Sequence, residues 1–376
     1  MKKLFLIIFC VAGFLTGNIA FADNPVAISG MSLAPSSSLT TIASSAASSV
    51  ATDSSTASPV STQAASEYLK IFYYKDNAIA RASLFKNAKS IDVLAPQAYA
   101  LNGDGILEGN IDPAVLDFTK KNNIKMMPLV TNKSFGQAGI GAILDDVSKQ
   151  NAAIKMLIDE AKNKGYWGWQ IDFEGMNLSY RDKFSAFIKN FGEQMKNNGL
   201  VSSVAVVSEV SEVPSDYPRN LWSRLIGVYD YKAIGESVDF VSLMSYDDPN
   251  SVGPISGYSW LARVLRYSMS VIPPEKISLG IPLYYWRWNQ NTKKLVAIGG
   301  FNQMKNFIRK YRVYFGYSPE EQESFIAYSS GGVKYIIWYE DTKGMAAKID
   351  LIKKYKLNGF SAWVLGLEAP GIYKAI

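Results

Sequence analysis

The sequence predicts an α/β fold of the (β/α)8 TIM-barrel class with a small α+β insertion between strands 7 and 8. Three observations carry this. Eight short, β-rich apolar runs alternate with amphipathic stretches over residues 67–376. Such alternation builds parallel sheets from βαβ units. No Gly-rich phosphate loop follows the first run, which counts against the main alternative, a doubly wound open sheet.

The first segment lies outside that pattern. Residues 1–22 carry Lys2 and Lys3, then an apolar stretch, then Ala20-Phe21-Ala22, which fits a small-residue cleavage site. The expectation is a signal peptide cleaved after Ala22, hence a secreted or periplasmic protein with no stable membrane insertion after cleavage. The one cysteine, Cys10, falls within this leader, so the mature chain would use no disulfide. Residues 23–66 read as a linker. Its span from Pro35 is rich in Ser, Ala and Thr, has the single charge Asp53 and shows no apolar period, the composition of a disordered segment.

The predicted strands are "YLKIFYY" (68–74), "SIDVLAP" (90–96), "IKMMPLV" (124–130), "GWQIDFE" (168–174), "VSSVAVVS" (201–208), "VDFVSLMSY" (238–246), "KISLGIPL" (276–283) and "GFSAWVLG" (359–366). Between the third and fifth, Ile154, Leu157, Ile158 and Ala161 repeat at helical spacing and stop at Gly165; Phe184, Phe187, Ile188, Phe191 and Met195 do the same and stop at Gly199. Residues 284–358 are too long for one connection. A helical stretch near Phe301–Tyr311 and the strand-like "VKYIIWYE" (333–340) mark an insertion that would wall a cleft.

Composition narrows the chemistry. The 376 residues contain no histidine, which excludes Ser-His-Asp and Cys-His catalysis and His-rich zinc sites. Hydrolysis would have to rest on Asp, Glu, Tyr or Lys. The formal charge of +6 falls to +4 without Lys2 and Lys3 (39 Lys and Arg, less two, against 33 Asp and Glu), and no basic cluster points to nucleic acid.

The fourth run raises a specific question, because two acids sit inside an apolar strand and burying ionised carboxylates without partners is costly. Strand side chains alternate, so Gln170, Asp172 and Glu174 share one face with Gly168, while Trp169, Ile171 and Phe173 share the other. The polar face would line the barrel interior, with Glu174 nearest the C-terminal mouth, where barrel enzymes place their chemistry. The alternative is that both acids cap backbone amides.

"GWQIDFE" resembles the catalytic strand of glycoside hydrolase family 18, D-G-x-D-x-D-x-E, and is nearest the spore-cortex and peptidoglycan N-acetylglucosaminidase branch. "LMSYDD" (243–248) resembles the family's M-x-Y-D strand, "LGIPLYYW" (279–286) its seventh strand, "IWYED" (337–341) the segment before the last strand, and "GFSAWVLGLE" (359–368) the last strand with its tryptophan. The resemblance implies a retaining glycosidase for β-1,4-linked N-acetylglucosamine polymers, chitin or peptidoglycan, that uses substrate-assisted hydrolysis without metal or cofactor. It implies Glu174 as general acid/base, Asp172 as stabiliser of the acetamido group and Tyr246 as its hydrogen-bond donor. It implies Asp247 beside that group and Trp363 as the apolar floor under the sugar; Gln170, Met244, Tyr284, Trp286 and Gln97 are further candidate substrate-binding residues.

Departures accompany the match. Trp167 and Gln170 stand where the family has its first and second acids, and Gln170 is expected to hydrogen-bond to Asp172. Burial and the Asp172 charge are expected to raise the pKa of Glu174. Gln97 and Tyr99 lie near the cleft, with packing the favoured role. Tyr284, Tyr285, Trp286 and Trp288 divide between stacking platforms and packing, and Trp338 and Tyr339 are assigned to packing. Asp248 starts a turn with Pro249. The competing function is a sugar-binding protein on the same barrel that has lost catalysis; a weaker one is a surface interaction protein.

Overall fold

The structure, a computed structural model, describes residues 67–376 apart from residue 219. The leader and linker expectations for 1–22 and 23–66 lie outside these residues. Among the described residues no helix is long and apolar enough to cross a membrane.

Eight parallel strands close into a barrel: β1 (Leu69–Tyr74), β2 (Val93–Leu101), β3 (Leu129–Asn132), β4 (Gly168–Asp172), β5 (Val201–Val207), β6 (Phe240–Met244), β7 (Ile277–Pro282) and β8 (Gly359–Trp363). Each pairs with its sequence neighbour, and β8 closes on β1 with Leu69 opposite Gly359.

The helices form where the apolar period put them. Asp146 caps the helix Val147–Lys164 by accepting from the N–H groups of Ser148 and Lys149, and Gly165 ends it at φ 73°. Its Ile154, Leu157, Ile158 and Ala161 are buried. Phe184, Phe187, Ile188, Phe191 and Met195 are the buried face of Arg181–Asn197. Phe173 packs on that face, its ring centroid 5.8 Å from that of Phe187, and the Trp169 indole donates to the Leu157 carbonyl at 2.7 Å. The outward half of β4 is therefore helix-facing, as its alternation requires.

Three boundaries differ from the sequence reading. β2 continues to Leu101, so Gln97 lies within it rather than beyond it. "IKMMPLV" is two pieces, Lys125–Met126 and Leu129–Asn132, because Pro128 between them has no N–H to give the ladder. The insertion is also shorter than 284–358: it ends near Tyr339, and Thr342–Tyr355 is the barrel helix before β8.

Inside the barrel the core is polar at one level. Gln170 has no exposed surface. Its Oε1 accepts from the Tyr73 hydroxyl at 2.8 Å, and its Nε2 donates to Ser203 Oγ at 2.8 Å and Ser242 Oγ at 2.9 Å. Ser361 lies within hydrogen-bond distance of both Ser242 (2.9 Å) and Ser278 (2.7 Å). One amide thus ties residues of β1, β4, β5 and β6 together, with β7 and β8 joined through the serines. Every donor in such a ring needs its acceptor, because an unpaired buried polar group costs about 1–3 kcal/mol.

The insertion is a five-stranded antiparallel sheet in the order Lys294–Gly299, Tyr285–Asn289, Val333–Tyr339, Glu323–Ser330, Tyr314–Ser318, with the helix Phe301–Lys310 packed on it. Tyr285, Met304, Ile326, Tyr328 and Ile337 form its own small core.

Gly168 sets the spacing of β4 against β5. A Cβ there would lie 1.9 Å from the Val201 carbonyl oxygen. Gly168→Ala should therefore destabilise the barrel by more than about 3 kcal/mol, read as a lowered urea midpoint; an unchanged midpoint would disprove this close approach.

Candidate active site

Residues from six barrel strands, or from just beyond them, meet at the C-terminal mouth. Asp172 ends β4 and is only 4 % exposed. One of its carboxylate oxygens is buried with no protein partner. Its pKa is raised well above the carboxylate range, first by burial and then by the neighbouring Glu174 charge, with a hydrogen bond from Gln97 opposing both. Glu174, half-buried, follows two residues later.

The backbone that carries Glu174 is held from both sides. Asn132, at the end of β3 and buried, donates to the Glu174 carbonyl at 2.8 Å and accepts from the Glu174 N–H at 2.9 Å. The Tyr229 hydroxyl donates to the Phe173 carbonyl at 2.7 Å. Neither residue was singled out from sequence. A lone Asn at a strand end has no periodic signature, and Tyr229 reads as one more core aromatic.

Beyond β6 the chain presents Tyr246, buried, and Asp247, partly buried, with Met244 half-buried at the strand's last position. Asp247 has φ +63°, a left-handed backbone that Asp tolerates better than most residues. Its Oδ1 accepts from the Tyr284 hydroxyl at 2.6 Å. Burial and the Glu174 charge push its carboxyl up to about 7, against the lowering effect of the Tyr284 hydrogen bond. Trp363 at the end of β8 lies 5.3 Å from Tyr73, centroid to centroid, and its indole N–H is buried without a partner.

One hydrogen-bond expectation is corrected. Gln170 does not hold Asp172: both N–H groups of its amide are spent on Ser203 and Ser242, one layer below the mouth, and the amide that reaches Asp172 is Gln97. Gln97 also lines a cavity of about 630 Å³ at the ends of β1 and β2, with Lys75, Asn110 and Asp112 among its other walls. The raised pKa on Asp172 comes from burial and the Glu174 charge acting together, so the two acids influence one another's protonation.

The aromatic cluster splits by alternation. Tyr285 turns into the insertion's core, edge-on to Phe307. Trp286 and Trp288 share the other face with their rings 5.6 Å apart, and Trp288 donates to the Gly253 carbonyl at 2.8 Å. Trp338, assigned to packing from sequence, pairs in register with Trp286, so the two share that face. Tyr99 faces away from the mouth, bonded to Glu160 and Tyr166.

A closed barrel with Asp172 desolvated and Glu174 half-buried at its C-terminal mouth, near the buried Trp363, fits a hydrolase of the glycosidase type. A family model, Glycosyl hydrolases family 18, matches residues 70–368, and the chain belongs to that family. Among curated relatives, an uncharacterized glycosylase YvbX of Bacillus subtilis is 26 % identical over 78 % of this chain and 86 % of that protein. The cortical fragment-lytic enzyme of Bacillus anthracis is 28 % identical over 74 % of this chain but only 65 % of its own length. Among solved structures, a chitinase from Chromobacterium violaceum (25 % identity, TM-score 0.73) covers 82 % of this chain and 97 % of its own. The Bacillus cereus spore cortex-lytic enzyme SleL (25 %, TM-score 0.72) covers 82 % and 73 %.

Asp247 should leave a signature in stability. Its folded pKa is raised, so the folded state holds more protons than the unfolded chain between about 3.8 and about 7. Stability then falls as pH rises across that window. Asp247→Asn keeps the acceptor for Tyr284 and tolerates the positive φ. It should flatten the slope of unfolding free energy against pH across that window; an unchanged slope would contradict the burial of this carboxyl.

Proposed function

We propose that this chain is an exported retaining glycosidase that cleaves β-1,4 bonds in polysaccharide containing N-acetylglucosamine. The observation that carries the reading is the pair Asp172–Glu174, one acid desolvated and raised, the other half-open at the mouth. Glu174 acts as general acid on the glycosidic oxygen. The substrate's acetamido oxygen attacks the anomeric carbon, so the enzyme supplies no nucleophile. Asp172 stabilises the resulting oxazolinium-like cation as the shared proton leaves the pair. Tyr246 fixes the acetamido group, Asp247 binds beside it, and Trp363 forms the floor. Glu174 then returns as base for water.

The unpartnered buried atoms fit this reading. Besides one oxygen of Asp172, the indole N–H groups of Trp363 and Trp286 are buried without a protein partner. Buried polar groups are rarely left so without a reason, and a hydroxyl-rich ligand would satisfy them. The cortical fragment-lytic relatives favour peptidoglycan glycan over chitin as the polymer. The positive leader and Ala20-Phe21-Ala22 support export. The second reading, sugar binding without catalysis, is favoured by Gln170, which cannot take a proton.

Glu174→Gln decides between them. It should lower kcat by about 10²–10⁴-fold while the affinity for chitooligosaccharide stays within a few fold. Wild-type protein with no turnover on either chitooligosaccharide or peptidoglycan glycan would favour the binding reading; a fully active Glu174→Gln would remove the acid assignment. The new reducing ends, identified by mass spectrometry, name the polymer. A substrate lacking the N-acetyl group should be inert, and its efficient cleavage would rule out acetamido assistance.

A further inference from the structure

We propose that Glu323, which belongs to the insertion, is a positioning residue for the loop that carries Tyr246 and Asp247; this rests on the roles given to those two residues above. Glu323 opens the strand Glu323–Ser330 and has no exposed surface. Its two carboxylate oxygens accept from the backbone N–H groups of Ile255 and Ser256, each at 3.1 Å. Both residues are themselves fully buried.

The contact continues to the site in three further steps. Ser256 Oγ donates to the Ser245 carbonyl at 2.6 Å, and Ser245 Oγ donates to the Gly280 carbonyl of β7 at 2.9 Å. Ser245 immediately precedes Tyr246. The Asp248 N–H bonds the Ile255 carbonyl at 3.4 Å, closing the base of the loop just after Asp247. Glu323 therefore holds the far limb of the loop, and the loop's own bonds pass that hold to its near limb. Other residues of the insertion grip the same loop and the first turn of the helix that follows it, Tyr258–Val271. Trp288 donates to the Gly253 carbonyl, and Glu321 accepts from Ser259 at its N–H (3.3 Å) and its hydroxyl (2.9 Å).

Burial raises the Glu323 pKa, and the charge of a nearby lysine opposes that rise. Lys348, 3 % exposed on Thr342–Tyr355, lies 2.5 Å from the Glu340 carboxylate, and its charge also acts on Glu323. Gly344 on the same helix leaves room for Glu340, since a Cβ there would lie 1.9 Å from Glu340 Oε1. A buried carboxyl group taking two backbone N–H bonds, one on each oxygen, fixes a loop more narrowly than water would, because its geometry is set from both ends. Tyr246 and Asp247 have no strand ladder to hold them. Asp247 lies beyond β6 in a left-handed backbone, and its carboxylate accepts from the Tyr284 hydroxyl. A displacement of about 1 Å in a group that meets the transition state costs about 10²-fold in rate.

The test compares Glu323→Ala and Glu323→Gln with Ser324→Ala. Ser324 is the next residue on the same strand, buried, and bonded to Asp341 rather than to the loop. Glu323→Ala should lower kcat by about 10²-fold with a smaller change in KM. Glu323→Gln, which keeps one acceptor oxygen, should recover part of that rate. Ser324→Ala should lower Tm without lowering kcat. Hydrogen exchange at residues 246–256 should quicken in both Glu323 variants and not in Ser324→Ala. Exchange is read without turnover, so it judges the clamp even if wild-type protein cleaves neither polymer. If Glu323→Ala does not fold, Ser256→Ala, which cuts the next bond in the chain, should show the same loss of kcat. Wild-type exchange and kcat in Glu323→Gln, or an equal loss in Ser324→Ala, would overturn the proposal.

Discussion

The site depends on keeping a carboxylic acid in a place that disfavours its charge. Asp172 ends a central strand with almost no solvent contact, with Gln97 as its hydrogen-bond donor and with a second acid beside it. Neither neighbour supplies the cation that would make ionisation easy, so burial and like charge act in the same direction. The layer beneath it could have been apolar, as barrel interiors commonly are. The barrel instead fills the next layer down with Gln170, Tyr73 and serines whose hydrogen bonds close on one another. A satisfied polar layer is rigid, and it spaces the strands without offering Asp172 a counter-charge.

That layer explains how one mouth is assembled from distant pieces of chain. Gln97, Asn132, Asp172, Tyr246, Tyr284 and Trp363 come from or just beyond six different strands. Each strand contributes one or two groups, and their relative placement is inherited from the barrel. The exceptions are Glu174 and the Tyr246–Asp247 pair, which lie past the last ladder bond. Both are secured by side chain to backbone bonds: Asn132 on Glu174, and Glu323 at one remove on the loop after β6. The same device recurs where regular pairing stops, because a backbone held at both its N–H and its carbonyl has little freedom left.

How legible this was follows from the range of each interaction. The inward face of β4 could be read directly, since alternation is local and Trp169 and Phe173 mark the opposite face. The helices were legible for the same reason. What failed was non-local. Gln170 and Asp172 are neighbours on one face, so a bond between them was the natural reading. The serines that take the amide instead come from β5 and β6, and nothing in the local pattern points to them. Asn132 and Glu323 gave no signal either, because each acts on backbone atoms far away in the chain. The break at Pro128 was visible as a residue. That it split a strand rather than ended one follows from pairing on both sides of it, to Val93 and Leu94 before and to Gln97 after.

The replacement of a family acid by Gln170 then has a definite consequence. An aspartate in that position would add a third ionisable group to the interior and a second possible home for the proton on Asp172. Gln170 is neutral at every pH, and its two N–H groups are already committed to serines. The proton inventory of the mouth reduces to Asp172, Glu174 and Asp247, the last poised at about 7 and tied to Tyr284. On the proposed mechanism, Asp172 and Glu174 exchange one proton between themselves without a relay deeper in the barrel. On the same proposal, the substitution removes a route for the proton while leaving Asp172, Glu174 and Tyr246 in place, so it would alter how the pair is charged rather than whether a pair exists.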